Sequence, residues 1–158
     1  MKVLFDKNQN LAQLYDRDYS LWLETTADLL KQGQLSQLDI PNLIEEIEDM
    51  GKRDKKALES NLEILIMHLL KYKYQSEKRT NSWRYTIIEH RNRIAKSFKY
   101  SPSLEKYCGD VLAECYQVAR KFATNESGLS IDTFPEQCCF SLEQVLDENY
   151  LPFKEPSA

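Results

Sequence analysis

Four carboxylates crowd into five residues at Glu45-Glu46-Ile47-Glu48-Asp49, a composition that can offer oxygen ligands to a hard cation. On a helix they do not converge. With Leu43, Ile47 and Met50 turned inward, Glu45 and Asp49 point outward, and Glu46 and Glu48 flank the seam on opposite sides. A di-iron bundle would further need Glu-x-x-His on paired helices, and neither His68 nor His90 has a glutamate three residues before it. No metal and no cofactor are therefore assigned. Glu46 or Glu48 is expected instead to pair with Arg84 or Arg91. These arginines stand seven apart on one helix flank, and their guanidinium groups suit bidentate pairing with a carboxylate.

The two histidines can act as acid or base near neutrality. His68 sits in the most apolar run of the chain, where burial favours the neutral ring. His90 shares a stripe with Trp83 and Ile87. The simpler reading of each is a core or boundary histidine bonded to a neighbour. The sharper one gathers Glu48, His68, Trp83, Arg84, His90 and Arg91 into the polar pocket of a small hydrolase-like or ligand-binding protein. No nucleophile stands beside either histidine, and there is no Gly-rich phosphate loop, G-x-S-x-G or H-E-x-x-H. No catalytic residue is assigned, and a non-enzymatic reading is favoured. Cys108 and Cys115 lie seven apart, where small apolar residues belong and too far apart along a helix for a disulfide. Cys138-Cys139 lacks the spacing of a redox or zinc motif.

Charge is unevenly spread. Residues 1–70 carry 8 basic and 13 acidic side chains, residues 71–99 carry 9 and 2, and residues 100–158 carry 4 and 10. Pairing within one bundle explains this simply. The alternative is an anion-binding face of Lys71, Lys73, Arg79, Arg84 and Arg91, with Tyr72, Tyr74, Trp83 and Tyr85 among the cations as on nucleic-acid surfaces. A sequence pI near 5.3 argues against nucleic acid as the partner.

Those residues must be positioned by helices. Four Gly and five Pro in 158 residues are few for a sandwich or barrel. Tyr15, Tyr19, Trp22, Thr26 and Leu29 step by four and three, which predicts one helix, with Asp16 or Asp18 as cap and Gly33 as stop. Asp39 caps a second, with Pro41 tolerated in its first turn. Its seam resumes after Gly51 at Leu58, Leu62, Leu65, Leu69 and Tyr72, so 40–74 reads as one long helix. Leu62 to Leu70 is interrupted only by Glu63 and His68 and is expected at the centre of the bundle. A third helix, capped at Asn81 or Ser82, carries Trp83, Ile87, His90, Ile94 and Phe98. After Ser101-Pro102 a fourth carries Leu104, Cys108, Val111, Cys115, Val118 and Phe122, ending between Asn125 and Gly128. A turn near Ser130 to Phe134 follows. Ser141-Leu142-Glu143-Gln144 is a capping box opening a short helix before a tail. The expected fold is all-α, an antiparallel bundle of about four main helices, with one domain over 12–153 and loosely attached termini at 1–11 and 154–158.

Several runs resemble a known family. They are Tyr15-Asp16-Arg17-Asp18-Tyr19-Ser20-Leu21-Trp22, Leu43-Ile44-Glu45-Glu46-Ile47-Glu48-Asp49-Met50-Gly51-Lys52, Leu69-Leu70-Lys71-Tyr72, Ser82-Trp83, and Arg91 followed by Ile94. Ser101-Pro102-Ser103-Leu104, Phe134-Pro135-Glu136 and Leu151-Pro152 continue the pattern. Over about 12–153 the chain is similar to a bacterial, largely cyanobacterial, family known as domain of unknown function twenty-nine. The resemblance implies a small all-helical protein and supplies no catalytic residues. It departs where Cys138 is followed by Cys139 rather than Pro. No apolar run is long enough to cross a bilayer, and MKVLFDKNQN lacks the apolar core of a signal peptide. The expectation is a cytoplasmic, non-catalytic interaction protein whose partner is another protein or itself. Tyr150, Phe153 and Tyr72-Lys73-Tyr74 are its expected docking surfaces.

Overall fold

A computed structural model describes residues 10–153. The protein is all-α: α1 (Leu11–Arg17), α2 (Tyr19–Lys31), α3 (Ile40–Tyr74), α4 (Asn81–Tyr100), α5 (Ser103–Ser127) and α6 (Leu142–Leu146), with short 3-10 turns between. Within the span 12–153 the chain packs as two compact units, one ending at Arg53 and one beginning at Asp54. Residues 1–9 and 154–158, expected to be loosely attached, lie outside the described residues. The Asn10 side chain accepts from the Ala12 N–H, and Leu11 is buried.

In unit one, the single helix expected over Tyr15–Leu29 is broken at Asp18. Its backbone leaves the helical region, its N–H closes α1 onto Leu14, and its carboxylate accepts from the Leu21 N–H to open α2. The 4-3 spacing of Tyr15, Tyr19 and Trp22 persists through the break, which hides it from a periodicity count. Gly33, at φ 69°, ends α2. Its N–H and that of Gln34 reach back to the carbonyls of Leu30 and Leu29, a left-handed cap that any Cβ would strain. Asp39 then caps α3 through the Asn42 N–H, with Pro41 in the first turn.

From there α3 runs unbroken through Gly51 to Tyr74. In unit two, Leu58, Leu62, Leu65, Ile66, Leu69 and Leu70 are fully buried in one core with Ile87 and Ile94 of α4 and Cys108, Val111, Cys115 and Tyr116 of α5. The cap of α4 is Thr80, one residue before the expected Asn81 or Ser82. On α5 the buried seam moves to Ala119 and Ala123, while Phe122 is exposed. A straight helix of 3.6 residues per turn drifts off a strict seven-residue repeat, which is why the Val118–Phe122 extension fails. The α5 helix ends at Gly128, φ 71°. The Ser141–Gln144 capping box forms as the sequence indicates. No described helix is long and apolar enough to cross a membrane.

Candidate functional site

Three aromatic side chains and two carboxylates organise unit one. Tyr15 and Tyr19 both donate their hydroxyls to Glu46, at 2.6 and 2.5 Å. Trp22 is fully buried, edge-on to Tyr15, with its indole N–H donated to Asp39 at 3.2 Å. Glu46 is thus held by phenols and, at 3.8 Å, by Arg53. The two phenol hydrogen bonds hold the Glu46 carboxyl below the usual carboxylate range, and the same bonds push Tyr15 and Tyr19 upward.

Beside this cluster a groove of about 390 Å³ opens between α2 and α3. Tyr19, Leu23, Thr26 and Leu30 line it from α2, and Leu43, Ile47, Met50 and Arg53 from α3. Ile47 and Met50, expected inward, are 62% and 60% exposed. The reason is width. Ile40, Leu43, Ile44, Ile47 and Met50 together spread an apolar surface broader than the short α1 and α2 cover. The Thr26 hydroxyl at the groove is buried and has no hydrogen-bond partner among the described residues.

The pocket residues named from the sequence fall as follows. Glu48 is exposed in unit one. His68, Trp83, Arg84, His90 and Arg91 belong to unit two. Each histidine leans on the carbonyl one turn back, His68 on Ile64 at 3.0 Å and His90 on Thr86 at 2.8 Å. Burial, the larger influence, lowers the His68 pKa against that backbone bond. Lys71, almost fully buried, donates to Glu126 at 2.5 Å and sits 4.5 Å from the centre of the Trp83 ring. Arg91 is buried and donates to the carbonyls of Val145 and Gln144, at 2.8 and 3.1 Å, which stitches α6 to α4. Arg84 is exposed and shares with Arg91 a small cleft that Glu148 also lines.

The remaining basic residues also have neighbours. Arg79 lies over the rings of Tyr72 and Phe153 and donates to the Tyr72 carbonyl, and Lys73 lies near Tyr74 and Phe140. Tyr72 is buried and Tyr74 packs edge-on against Phe134, so the surfaces expected to dock a partner are turned to internal packing, Phe153 excepted. Burial pushes the Cys108 and Cys115 thiols up to about 11 and about 12, leaving them protonated and poor nucleophiles at neutral pH. Among the described residues no three His, Cys, Asp or Glu side chains gather as a metal ion requires.

A family model described as Domain of unknown function DUF29 matches residues 14–151. The chain belongs to this family. No curated protein and no solved structure matches it. In this DUF29 chain the matched span takes in Tyr15, Tyr19, Trp22, Asp39 and Glu46, the residues that shape the groove. Sequence reasoning saw the aromatic stripe but missed its hydrogen-bond partners, and it missed Leu23 and Leu30 altogether. The available signal was the surplus of apolar positions on the first turns of α3.

Proposed function

We propose that this DUF29 chain is a non-catalytic interaction module whose unit-one groove receives a helix of another polypeptide. One observation carries the reading. Among the described residues unit one buries Leu11, Leu14 and Trp22 in its apolar cluster, while Leu23, Leu30, Ile47 and Met50 stand 44–62% exposed around a preformed groove. Contiguous apolar surface of this kind is costly in water and marks sites of association. A groove between two antiparallel helices suits a third helix presenting anchors at three- and four-residue steps. The phenol–Glu46 and indole–Asp39 bonds fix the groove walls before a partner arrives, which lowers the entropy cost of binding.

Photo-crosslinking in cells tests this. A photoreactive residue placed at Ile47 is expected to give a covalent protein adduct, whereas one at the equally exposed Tyr85 of α4 is not. Absence of any adduct from Ile47 and from Leu23 overturns the proposal.

A further inference from the structure

We infer that the occupant of the unit-one groove is a second copy of this chain, the α3 helices meeting in opposite directions about a two-fold axis near Met50 and Gly51; this rests on the docking reading above. Three observations point the same way.

The first is core size. Among the described residues unit one has three buried in its apolar cluster, and its large exposed apolar side chains outnumber them. Units of about this length seldom hold a fold on so little burial without a staple or a partner. Two antiparallel helices with an uncovered apolar seam are half of a four-helix bundle, and an identical half completes it.

The second is shape. On the exposed face of α3, beside the groove wall formed by Ile47 and Met50, Ile44, Ile47 and Gly51 follow at helical steps, and no described atom lies within 4 Å of the place a Cβ would occupy at Gly51. A glycine at the midpoint of an open seam lets two helix backbones approach closely.

The third is the order of charge, which selects the occupant. Glu45, Glu48 and Asp49 precede Gly51, and of the five residues that follow it four are basic, Lys52, Arg53, Lys55 and Lys56, with Asp54 among them. A helix written acid, small residue, base is complementary to itself only when reversed. Antiparallel pairing sets each copy's carboxylates against the other's cations, so that Glu48 of one copy stands opposite Lys52 of the second. Parallel pairing would set like against like. A uniformly basic foreign helix would satisfy the carboxylates but leave Lys52 and Arg53 facing like charge.

Sedimentation over a dilution series of the full chain tests the inference, with circular dichroism confirming that each variant keeps its helices. The unaltered chain is expected to be a dimer that dissociates on dilution. Ile47→Glu is expected to be monomeric throughout. Glu48→Lys and Lys52→Glu each set like charges across the axis and are expected to weaken the dimer by roughly tenfold. The double variant Glu48→Lys/Lys52→Glu, which merely exchanges the pair, is expected to return to within about threefold of the unaltered chain. A dimer that ignores all these changes overturns the inference, and so does a chain monomeric at every concentration. In the monomeric case the crosslink at Ile47 separates the two readings. A foreign adduct there preserves the docking site and removes only the second copy, while no adduct removes both.

Discussion

Among the described residues, unit two hides twenty in one continuous core; unit one hides three in its own. The helix formers, caps and turn residues are of similar quality in both. What differs is the supply of partner surface. In unit two, α3 from Leu58 onward is covered by α4, α5 and the segment from Phe134 to Leu146. In unit one the same helix, also with an apolar stripe, has two short helices against it among the described residues. Polar bonds do more of the work there, with Glu46 and Asp39 each fixing aromatic residues. A stripe of leucine-type residues therefore states an appetite for burial, and whether it is met depends on how many other elements the chain can bring to it.

Four experiments would break or sharpen this contrast. The largest effect is expected from Trp22→Ala, about 3–5 kcal/mol for a fully buried tryptophan. Residue-resolved hydrogen exchange should show protection lost across α1 and α2 while α4 and α5 stay protected. Equal loss in both units would show a single cooperative structure instead. Next comes Arg91→Ala, which leaves the carbonyls of Val145 and Gln144 without their buried donor and should cost about 1–3 kcal/mol, with exchange rising first in α6. Arg91→Lys should not rescue it, because the ammonium lacks the guanidinium fork.

Acid should separate the units by the pH at which each weakens. His68 has a folded pKa below its ordinary value, so its contribution is complete above the unfolded value. It is lost as pH falls from near 6.5, when the unfolded chain takes up the proton first. Glu46 has a folded pKa below the carboxylate range, so its contribution is present above the unfolded value and is lost only as pH falls further, through the folded one. Denaturant midpoints at pH 7 and pH 5 should fall in unit two alone, and His68→Leu should abolish that difference. The smallest effect is expected from Gly51→Ala. In the Ile47→Glu background, where no second helix approaches, it should stabilise α3 by about 1 kcal/mol through helix propensity, read as a raised thermal midpoint.

Much of this architecture was legible in the residues. The continuity of α3 through Gly51, the buried run from Leu62 to Leu70 and the Ser141 capping box all rest on local chemistry and spacing. The break at Asp18 was not, because the aromatic stripe stays in phase across it. Nor were the partners of Arg91, whose acceptors lie 53 and 54 residues further along the chain and are backbone carbonyls that no side-chain pattern announces. The pairing of Glu46 with two phenols was missed for a related reason. Opposite charge is an obvious partner to seek, yet Tyr15 and Tyr19 stand closer to it than Arg53 does. The groove escaped notice because counting a seam shows that it is apolar and not whether it is covered.

The stitch from α4 to α6 bears on how the chain is made. Arg91 leaves the ribosome more than fifty residues before the carbonyls that receive it. Until Val145 emerges, that guanidinium has no place in a dry interior, so α4 cannot take its final seat early in synthesis. A product cut short before Gln144 would keep its leucines and still carry a stranded cation. The arginine in this way makes synthesis through Val145 a condition for seating α4.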